Sequence, residues 1–335
     1  MIKEVNVSEN DSLKKFIDKF DQTRILVIGD IMMDEYIWGE VSRISPEAPI
    51  PVVEVKEETK MLGGAANVMH NIISLGGKSI LCGVIGNDDT GKQILERIHD
   101  LGVVTDGIII EANRLTSIKT RVVARNQQVV RVDRETRKEI NQSSIEKFLG
   151  FIKNKINGID AIIIADYGKG VISERLMKGL KKLISGNNIF LAVDPKTENF
   201  RYYKGIDIIT PNHHEAGAFC RTVIDDDESL IKAGKTIIEK VRCKAVLITQ
   251  GKDGMTLFGK DGEICHIPTV GRKVFDVSGA GDTVISTLCM GLAAGMDLES
   301  AAVIANFAAG IVVGEVGTST VRAEELKKAI NGRRF

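Results

Sequence analysis

Short apolar runs alternate with longer segments of helical periodicity along most of the chain. The apolar runs are rich in Val, Ile and Leu, which is typical of strands buried on both faces of a sheet. They cover residues 25–29, 79–85, 161–165, 189–193, 207–209 and 245–249. Helices are predicted between them at 64–75, 90–101, 143–156, 173–184 and 230–241. This alternation predicts an α/β fold whose parallel sheet is covered by helices on both faces.

Two extended segments interrupt the alternation. Residues 36–56 contain Pro46, Pro49 and Pro51, and residues 117–133 alternate apolar and polar positions as a strand does. We interpret them as a small β-sheet that projects from the α/β body as a lid; the alternative is two edge hairpins without a function. The expected organisation is one domain over residues 1–330 with this lid inserted, followed by a tail at 331–335.

Composition narrows the function classes. The chain has 335 residues, 45 basic and 45 acidic side chains, and 43% hydrophobic residues, an ordinary globular mixture. Zero net charge argues against a protein that binds mainly nucleic-acid phosphates. The longest charge-free apolar runs, 283–296 and 300–314, are shorter than the ~20 residues that cross a bilayer. The first residues lack the apolar core of a signal peptide, so a cytoplasmic protein without membrane partners is expected.

Five cysteines are scattered along the chain without a C-x-x-C pair. This spacing favours reduced, buried thiols over disulfides or zinc ligands. The adjacent His213 and His214 also lack the spacing of a zinc site.

The strongest chemical signal is the run from Asp276 to Asp282, Asp-Val-Ser-Gly-Ala-Gly-Asp, which leads into an apolar helical stretch. Glycines let the backbone approach a ligand closely, and a helix start offers unpaired N–H groups that stabilise an anion. A carboxylate at Asp282 fits that site if it accepts the proton of a hydroxyl that attacks a phosphoryl group. The alternative is an ordinary glycine turn with Asp in the first helical turn.

Polar residues follow several predicted strands at their carboxyl ends, where open α/β sheets bind ligands. Asn212 and Glu215 are three residues apart and could face a hydrated magnesium ion. A glycine turn follows Thr249. The remaining polar residues at strand ends are Asp30, Asp166 and Asp194. Together they predict a ligand crevice.

One glycine-rich stretch is a poor phosphate loop. Gly86, Gly91 and Lys92 have the spacing of a P-loop, but Gln93 stands where a hydroxyl should hold magnesium. Asp88 and Asp89 would add negative charge to the phosphate cradle. We therefore do not expect a P-loop here.

Three motifs in order resemble the ribokinase-like, or PfkB, carbohydrate kinases over residues 21–330. They are Gly63-Gly64-Ala-Ala-Asn67, Asn212-x-x-Glu215 and Gly279-Ala-Gly281-Asp282. The blocks 27–49, 166–170, 194–196 and 317–320 are most similar to the members that act on D-glycero-β-D-manno-heptose 7-phosphate. The resemblance implies a three-layer α/β/α sandwich with a mostly parallel central sheet and a small β-sheet lid.

The resemblance also implies a reaction. The γ-phosphoryl group of ATP, bound with Mg²⁺, would pass to the C1 hydroxyl of the heptose 7-phosphate and give the 1,7-bisphosphate, a precursor of ADP-heptose for the lipopolysaccharide core. Asp282 would be the base, and the backbone of Gly279, Ala280 and Gly281 the anion hole. A homodimer formed through the lid is expected.

Site residues carried over from the family fall into three groups. The acceptor side would use Asp30, Asp34, Gly63, Gly64, Asn67 and Lys169, with Arg43 on the 7-phosphate because its planar fork suits a bidentate contact. The alternative for Arg43 is a solvent-facing lid residue. The nucleotide side would use Asn212, His213, His214, Glu215, Thr249, Gly251, Gly254, Asn306 and Gly310. Glu215 would hold Mg²⁺ indirectly, and Asp276 and Ser278 would lie near K⁺.

Two other functions remain compatible with the sequence. One is another PfkB kinase of a sugar or sugar phosphate, such as a fructose phosphate. The other is a sugar-binding regulator without catalysis, against which Asp282 and its glycines argue. Asn126-Gln127-Gln128 departs from the family pattern. In many bacteria the heptose kinase is fused to an adenylyltransferase, and that activity is expected here on another polypeptide.

Overall fold

The structure, a computed structural model, describes residues 2–4, 10–125, 127–270 and 276–332. The strands are β1 (Lys3–Glu4), β2 (Arg24–Gly29), β3 (Ile31–Ile44), β4 (Pro51–Gly64), β5 (Lys78–Gly86), β6 (Ile108–Glu111), β7 (Ser117–Ala124), β8 (Gln127–Arg134), β9 (Ala161–Ala165), β10 (Phe190–Asp194), β11 (Ile208–Ile209), β12 (Ala245–Thr249), β13 (Met255–Gly259) and β14 (Ile264–Ile267). The helices are α1 (Asn10–Ile17), α2 (Ala65–Ser74), α3 (Asp89–Asp100), α4 (Gln142–Lys155), α5 (Glu174–Ile184), α6 (His213–Cys220), α7 (Asp227–Val241), α8 (Ala280–Ala293), α9 (Leu298–Val312) and α10 (Ala323–Asn331).

The main sheet has the strand order β1-β14-β13-β12-β11-β10-β9-β2-β5-β6 within the described residues. The seven strands from β12 to β6 in that order are mutually parallel, and β13 is antiparallel to both of its neighbours. The predicted α/β class with a mostly parallel sheet is therefore confirmed. The six strands predicted from apolar runs are all present, because strands such as β9 are buried along their whole length.

Helices cover both faces of this sheet and create two apolar cores. One core includes side chains of α1, α2, α3, α8, α9 and α10, and the other includes side chains of α4, α5, α6 and α7. This is the expected three-layer sandwich. No helix in the described ranges combines the length and apolarity that a membrane crossing needs.

A second sheet, with the order β4-β3-β7-β8, forms the lid. It joins both segments predicted as extended, since β3 pairs with β4 antiparallel and with β7 in parallel. Its first two strands are longer than the predicted 36–56. The pairing runs from Ile31 opposite Gly64 out to Ile44 opposite Pro51, so the ladder reaches down to the body.

Local capping explains two features of the sequence. Ser173 caps α5, and its side chain accepts from the Leu176 N–H. Asp88 caps α3, and its carboxylate accepts from the N–H groups of Gly91 and Thr116, both at 2.8 Å. A carboxylate therefore fills the loop whose glycine spacing imitates a P-loop.

The predicted tail at 331–335 begins one residue too early, because Asn331 is the last residue of α10. Residues 333–335 lie outside the described residues, as does Asn126.

Candidate active site

Asp282 lies in the first turn of α8, directly after the glycine run. Gly279 is the N-cap of this helix and has φ 78°, a left-handed conformation that favours glycine. A Cβ at Gly279 would also lie 2.8 Å from Nδ2 of Asn67. Both constraints explain why this turn contains glycine three residues before Asp282.

Two side chains hold the Asp282 carboxylate. Nδ2 of Asn67 donates to its Oδ2 at 2.6 Å, and the Tyr167 hydroxyl donates to its Oδ1. Burial raises the pKa of Asp282 to about 6, while these two hydrogen bonds act in the opposite direction. A carboxylate with such a pKa is ionised at neutral pH and is still basic enough to accept a proton from a hydroxyl in a transition state.

Asp282 faces a cavity of about 220 Å³ at the carboxyl ends of the strands. The cavity brings together predicted residues from all parts of the chain: Asp34, Gly64, Asn212, Glu215, Thr249, Ser278, Gly279, Gly281 and Asp282. It also contains side chains that the sequence did not single out for the site: Lys119, Arg121, Tyr167, Thr210 and Thr318. We call it the transfer cavity.

Asp34 lies on lid strand β3 at the acceptor side of this cavity. Its carboxylate forms an ion pair with Arg121 of β7, and both side chains are largely buried. Arg121 in turn lies 5.2 Å from the ring centroid of Tyr36. A Cβ at Gly63 would lie 2.1 Å from Oδ2 of Asp34, so the glycine makes room for this carboxylate.

Asp30 has a different place from the one expected. Its Oδ2 accepts from the N–H groups of Tyr167 and Lys169, and its Oδ1 accepts from that of Val171. The side chain is 1% exposed and does not line the transfer cavity. The structure therefore assigns Asp30 to holding the loop after β9, which carries Tyr167, and not to sugar hydroxyls.

Three more residues expected on the acceptor side are placed elsewhere or already paired. Asn67 donates to Asp282, as described above. Lys169 forms an ion pair with Glu135. Arg43 is exposed and lies nine residues beyond Asp34 on β3, roughly 30 Å away at the rise of an extended strand. The structure does not bring Arg43 to the cavity of its own chain.

Asn212 and Glu215 form a capping box at the start of α6. The Asn212 side chain accepts from the Glu215 N–H at 2.9 Å, and Glu215 Oε2 accepts from the Asn212 N–H at 3.0 Å. An isolated parallel bridge joins Asn212 to Thr249, which brings the ends of two strands together. The three-residue spacing of Asn212 and Glu215 therefore caps the start of α6. The capping bond uses Oε2 of Glu215, so Oε1 is not part of it.

The other predicted nucleotide residues do not line the transfer cavity. Asn306 donates to the Pro268 carbonyl at 2.7 Å and so fixes a loop. Gly251 and Gly254 have positive φ in the turn after β12, and Gly310 lies in α9. The rings of His213 and His214 pack on each other at 3.8 Å, with His214 exposed.

A group of carboxylates marks where a divalent cation would fit. Burial raises the pKa of Asp194 well above its usual range, and the negative charges of Glu215 and Asp282 raise it further. Within the described residues no three His, Cys, Asp or Glu side chains are placed to hold a metal ion directly. Magnesium would therefore reach Asp194 and Glu215 through water and nucleotide phosphates, which is its usual mode.

The hydrogen bonds around Asp276 and Ala280 bear on two predictions, the K⁺ site and the backbone anion hole. Its carboxylate accepts from Ser278 N–H at 2.9 Å, Gly317 N–H at 3.1 Å and the Tyr36 hydroxyl at 3.2 Å. The Ser278 side chain is a further hydrogen-bond partner of this carboxylate. A K⁺ ion near Asp276 and Ser278 stays a prediction. The Ala280 N–H donates to the Val277 carbonyl at 3.2 Å, so it does not point freely into an anion hole.

Comparison with known proteins identifies the family. Residues 22–325 match the pfkB family carbohydrate kinases. The chain belongs to this family. It is 46% identical over 320 residues to the bifunctional protein HldE of Desulfatibacillum aliphaticivorans, and the match covers 95% of this chain and 65% of that protein. It is 44% identical to HldE of Pelobacter propionicus, over 96% of this chain and 66% of the relative. The chain thus spans just under two thirds of the length of these relatives.

Solved structures of a phosphofructokinase-2 and a ribokinase share the fold. The Escherichia coli phosphofructokinase-2 complex with substrates and products superposes with a TM-score of 0.77 at 17% identity, over 92% of this chain and 99% of the other. Arabidopsis thaliana ribokinase with ribose and ATP gives 0.73 at 19% identity, over 92% and 98%. These superpositions support the fold. The family match shows a carbohydrate kinase, a phosphotransferase with an alcohol group as acceptor, and it confirms the resemblance seen in the motifs.

Proposed function

We propose that this protein transfers the γ-phosphoryl group of ATP to a hydroxyl of a sugar phosphate held between Asp34 and Asp282. The observation that carries the proposal is the position of Asp282, which is buried in the first turn of α8 and faces a cavity that Asp34 and the bridged pair Asn212 and Thr249 also line. A base between an acceptor side and a nucleotide side is what in-line phosphoryl transfer requires.

In the proposed step, Asp282 accepts the proton of the acceptor hydroxyl as the hydroxyl oxygen bonds to the γ-phosphorus. The bond from that phosphorus to the β,γ-bridging oxygen breaks, and ADP leaves. Gly281 and the start of α8 lie beside the position where negative charge develops, and the helix dipole favours that charge. Asp194 and Glu215 would hold magnesium through water, and the ion bound with ATP would neutralise charge on the nucleotide phosphates.

The acceptor we propose is D-glycero-β-D-manno-heptose 7-phosphate, phosphorylated at C1 in a route to ADP-heptose. This is supported by the sequence blocks at 27–49 and 166–170 and by 39–46% identity to HldE proteins over at least 90% of the chain. A second candidate is another sugar phosphate of the fructose-phosphate type, favoured by the superposition on phosphofructokinase-2. A regulator without catalysis is disfavoured by the intact base and its partners Asn67 and Tyr167.

A panel of acceptors tests the proposal. The purified protein is incubated with ATP, Mg²⁺ and one sugar at a time, with ADP formation and the product phosphate position as readouts. We expect the heptose 7-phosphate to give the highest kcat/KM and a 1,7-bisphosphate. Faster turnover of a fructose phosphate would show that the acceptor is a different sugar phosphate and would leave the proposed phosphoryl-transfer mechanism unchanged. Sugar binding without ADP formation on any acceptor would refute it.

We also propose that two copies associate through the lid. Apolar side chains on its strands and tip are exposed, in particular Ile44, Ile50, Val55, Val130 and Val132. An exposed apolar sheet of this kind is typical of an interface, and pairing with a second copy would remove it from water.

A further inference from the structure

A second cavity, of about 540 Å³, opens beside the transfer cavity under the lid. The two cavities share walls formed by Lys119, Tyr167, Asp194 and Glu215. Because the Tyr167 hydroxyl donates to Asp282, the shared wall lies next to the base. A molecule whose reacting hydroxyl is at Asp282 would therefore extend its other end into the second cavity, which we call the distal cavity.

Cations from five places in the chain line the distal cavity. They are Lys119 on β7, Arg131 on β8, Arg137 before α4, Lys169 after β9 and Lys196 after β10. Convergence of positive groups from separate loops and from the lid favours an anionic ligand group. Acidic side chains are present as well, so the question is which cations are available.

Three of the five cations are already paired. Arg131 binds Asp133 with two nitrogens at 2.9 and 3.1 Å, and Glu135 pairs with both Arg137 and Lys169. In the part of the chain that the structure describes, the ammonium groups of Lys119 and Lys196 form no ion pair. These two groups remain to bind a ligand.

The two lysines are held in place by their surroundings. The Lys119 ammonium lies 5.3 Å from the ring centroid of Tyr167 and is half-buried, and burial lowers its pKa. The Lys196 stem passes Gly168, where a Cβ would lie only 3.2 Å from its Cγ and where φ is 68°. An anion between the two ammonium groups would offset the cost of keeping Lys119 away from water.

We propose that the distal cavity binds a phosphate at the end of the acceptor opposite the reacting hydroxyl, with Lys119 and Lys196 as its free cations. The inference rests on the proposed sugar-phosphate kinase function. It replaces Arg43, which lies at the lid tip, as the contact for that phosphate. The nucleotide would occupy the other side of the transfer cavity, at Asn212 and Thr249.

The test uses the full chain with Lys119→Met and Lys196→Met, which remove the charge and keep an apolar stem. Lys178→Met is the matched control, because Lys178 is exposed on α5 and pairs with Glu174 outside both cavities. For each protein, kcat/KM is measured with the heptose 7-phosphate, with the same heptose lacking the phosphate, and with ATP as the varied substrate.

We expect each cavity variant to lose about 10- to 100-fold in kcat/KM for the phosphorylated acceptor, the scale of one hydrogen bond to a charged group. Values for the unphosphorylated acceptor and the KM for ATP should change less than about threefold, and the control should match wild type. An equal loss on both acceptors, or a raised KM for ATP instead, would overturn the assignment.

Calorimetry without nucleotide gives a second readout that does not need turnover. The Kd for the heptose 7-phosphate should rise about 10- to 100-fold in both cavity variants, and an unchanged Kd would refute the site. If wild type instead prefers another sugar phosphate, the same comparison is made with that sugar, so the cavity is tested separately from the heptose assignment. A wild type that prefers unphosphorylated sugars would overturn the distal cavity and leave the kinase reaction standing.

Discussion

Asp282 takes its properties from two neighbours that come from distant parts of the chain. Asn67 belongs to α2 and Tyr167 to the loop after β9, and both donate to the carboxylate. Their hydrogen bonds hold the pKa of Asp282 below the value that burial alone would give. The pKa of Asp282 is therefore set by burial against hydrogen bonding, and its ionisation can be measured.

The pH dependence of the reaction should show this ionisation. Asp282 must be unprotonated to accept a proton, and its pKa is raised to about 6. We expect kcat/KM to be level at neutral pH and to fall about tenfold per pH unit below about pH 6. An acid limb near pH 4, the usual range of an aspartate, would contradict the burial argument.

Replacement of the base should act mainly on kcat. We expect Asp282→Asn to lower kcat by about 10²- to 10⁴-fold, the scale of a lost general base. ATP affinity, measured by calorimetry, should stay within a few-fold of wild type. Turnover close to wild type would remove Asp282 from the catalytic role.

We expect Tyr167 to act as a positioning residue that lowers the pKa of Asp282. Removing its hydroxyl in Tyr167→Phe deletes a donor that stabilises the ionised carboxylate, so the pKa of Asp282 should rise. The acid limb of kcat/KM should then move to higher pH, with kcat at its plateau reduced less than in Asp282→Asn. Tyr202→Phe is the control, since the Tyr202 hydroxyl accepts from Arg201 outside the transfer cavity. An unshifted limb would mean that Tyr167 only shapes the cavity.

At the scale of elements, the buried strands and most helices follow from the sequence pattern. Strand β9 is apolar throughout and β12 is apolar up to its last residue, Thr249, and caps such as Ser173 mark where helices begin. The lid was harder to delimit because β3 and β4 are amphipathic at the tip and buried at the root, so the pattern changes along one strand.

The residues of the site were predictable where a motif fixes the backbone. Gly279 and Asp282 are examples, since a helix start and a positive φ leave few choices. Lys119 and Tyr167 reach the site only through sheet pairing and a loop held by Asp30, which no local pattern encodes. Conversely, Asp30 has the strand-end position of a ligand residue, but its carboxylate accepts hydrogen bonds from three backbone N–H groups.

The loop after β9 should depend on Asp30 for stability. Asp30→Ala would leave three N–H groups, at Tyr167, Lys169 and Val171, without their acceptor. We expect a fall of about 2–4 kcal/mol in the free energy of unfolding, measured with urea. The exposed Asp106→Ala should have no such effect. A variant of full stability with only a raised KM for sugar would restore the sugar-contact hypothesis.

At the scale of the whole molecule, the lid joins the site to a surface suited to a second copy. Val130 and Val132 lie two residues apart on β8, 47% and 54% exposed, and so face the same side of the lid sheet. We expect the wild type to sediment at twice the 36.5 kDa of one chain. Val130→Asp with Val132→Asp should give monomers, because two buried charges oppose association. Val223→Asp, on a body loop, is the control, and a wild-type monomer would refute the lid dimer.

The roots of the lid have a further consequence. Only Asp30 separates β2 from β3, β4 ends at Gly64 where α2 begins at Ala65, and the Ala65 N–H donates to the Asp30 carbonyl at 3.0 Å. Because no loop separates the lid strands from β2 and α2, a movement of the lid should also move α2, the helix that carries Asn67. We expect closure of the lid over an acceptor and alignment of Asp282 to occur together, which would keep water from taking the phosphoryl group. We expect ATP to be nearly inert on this protein until a sugar arrives.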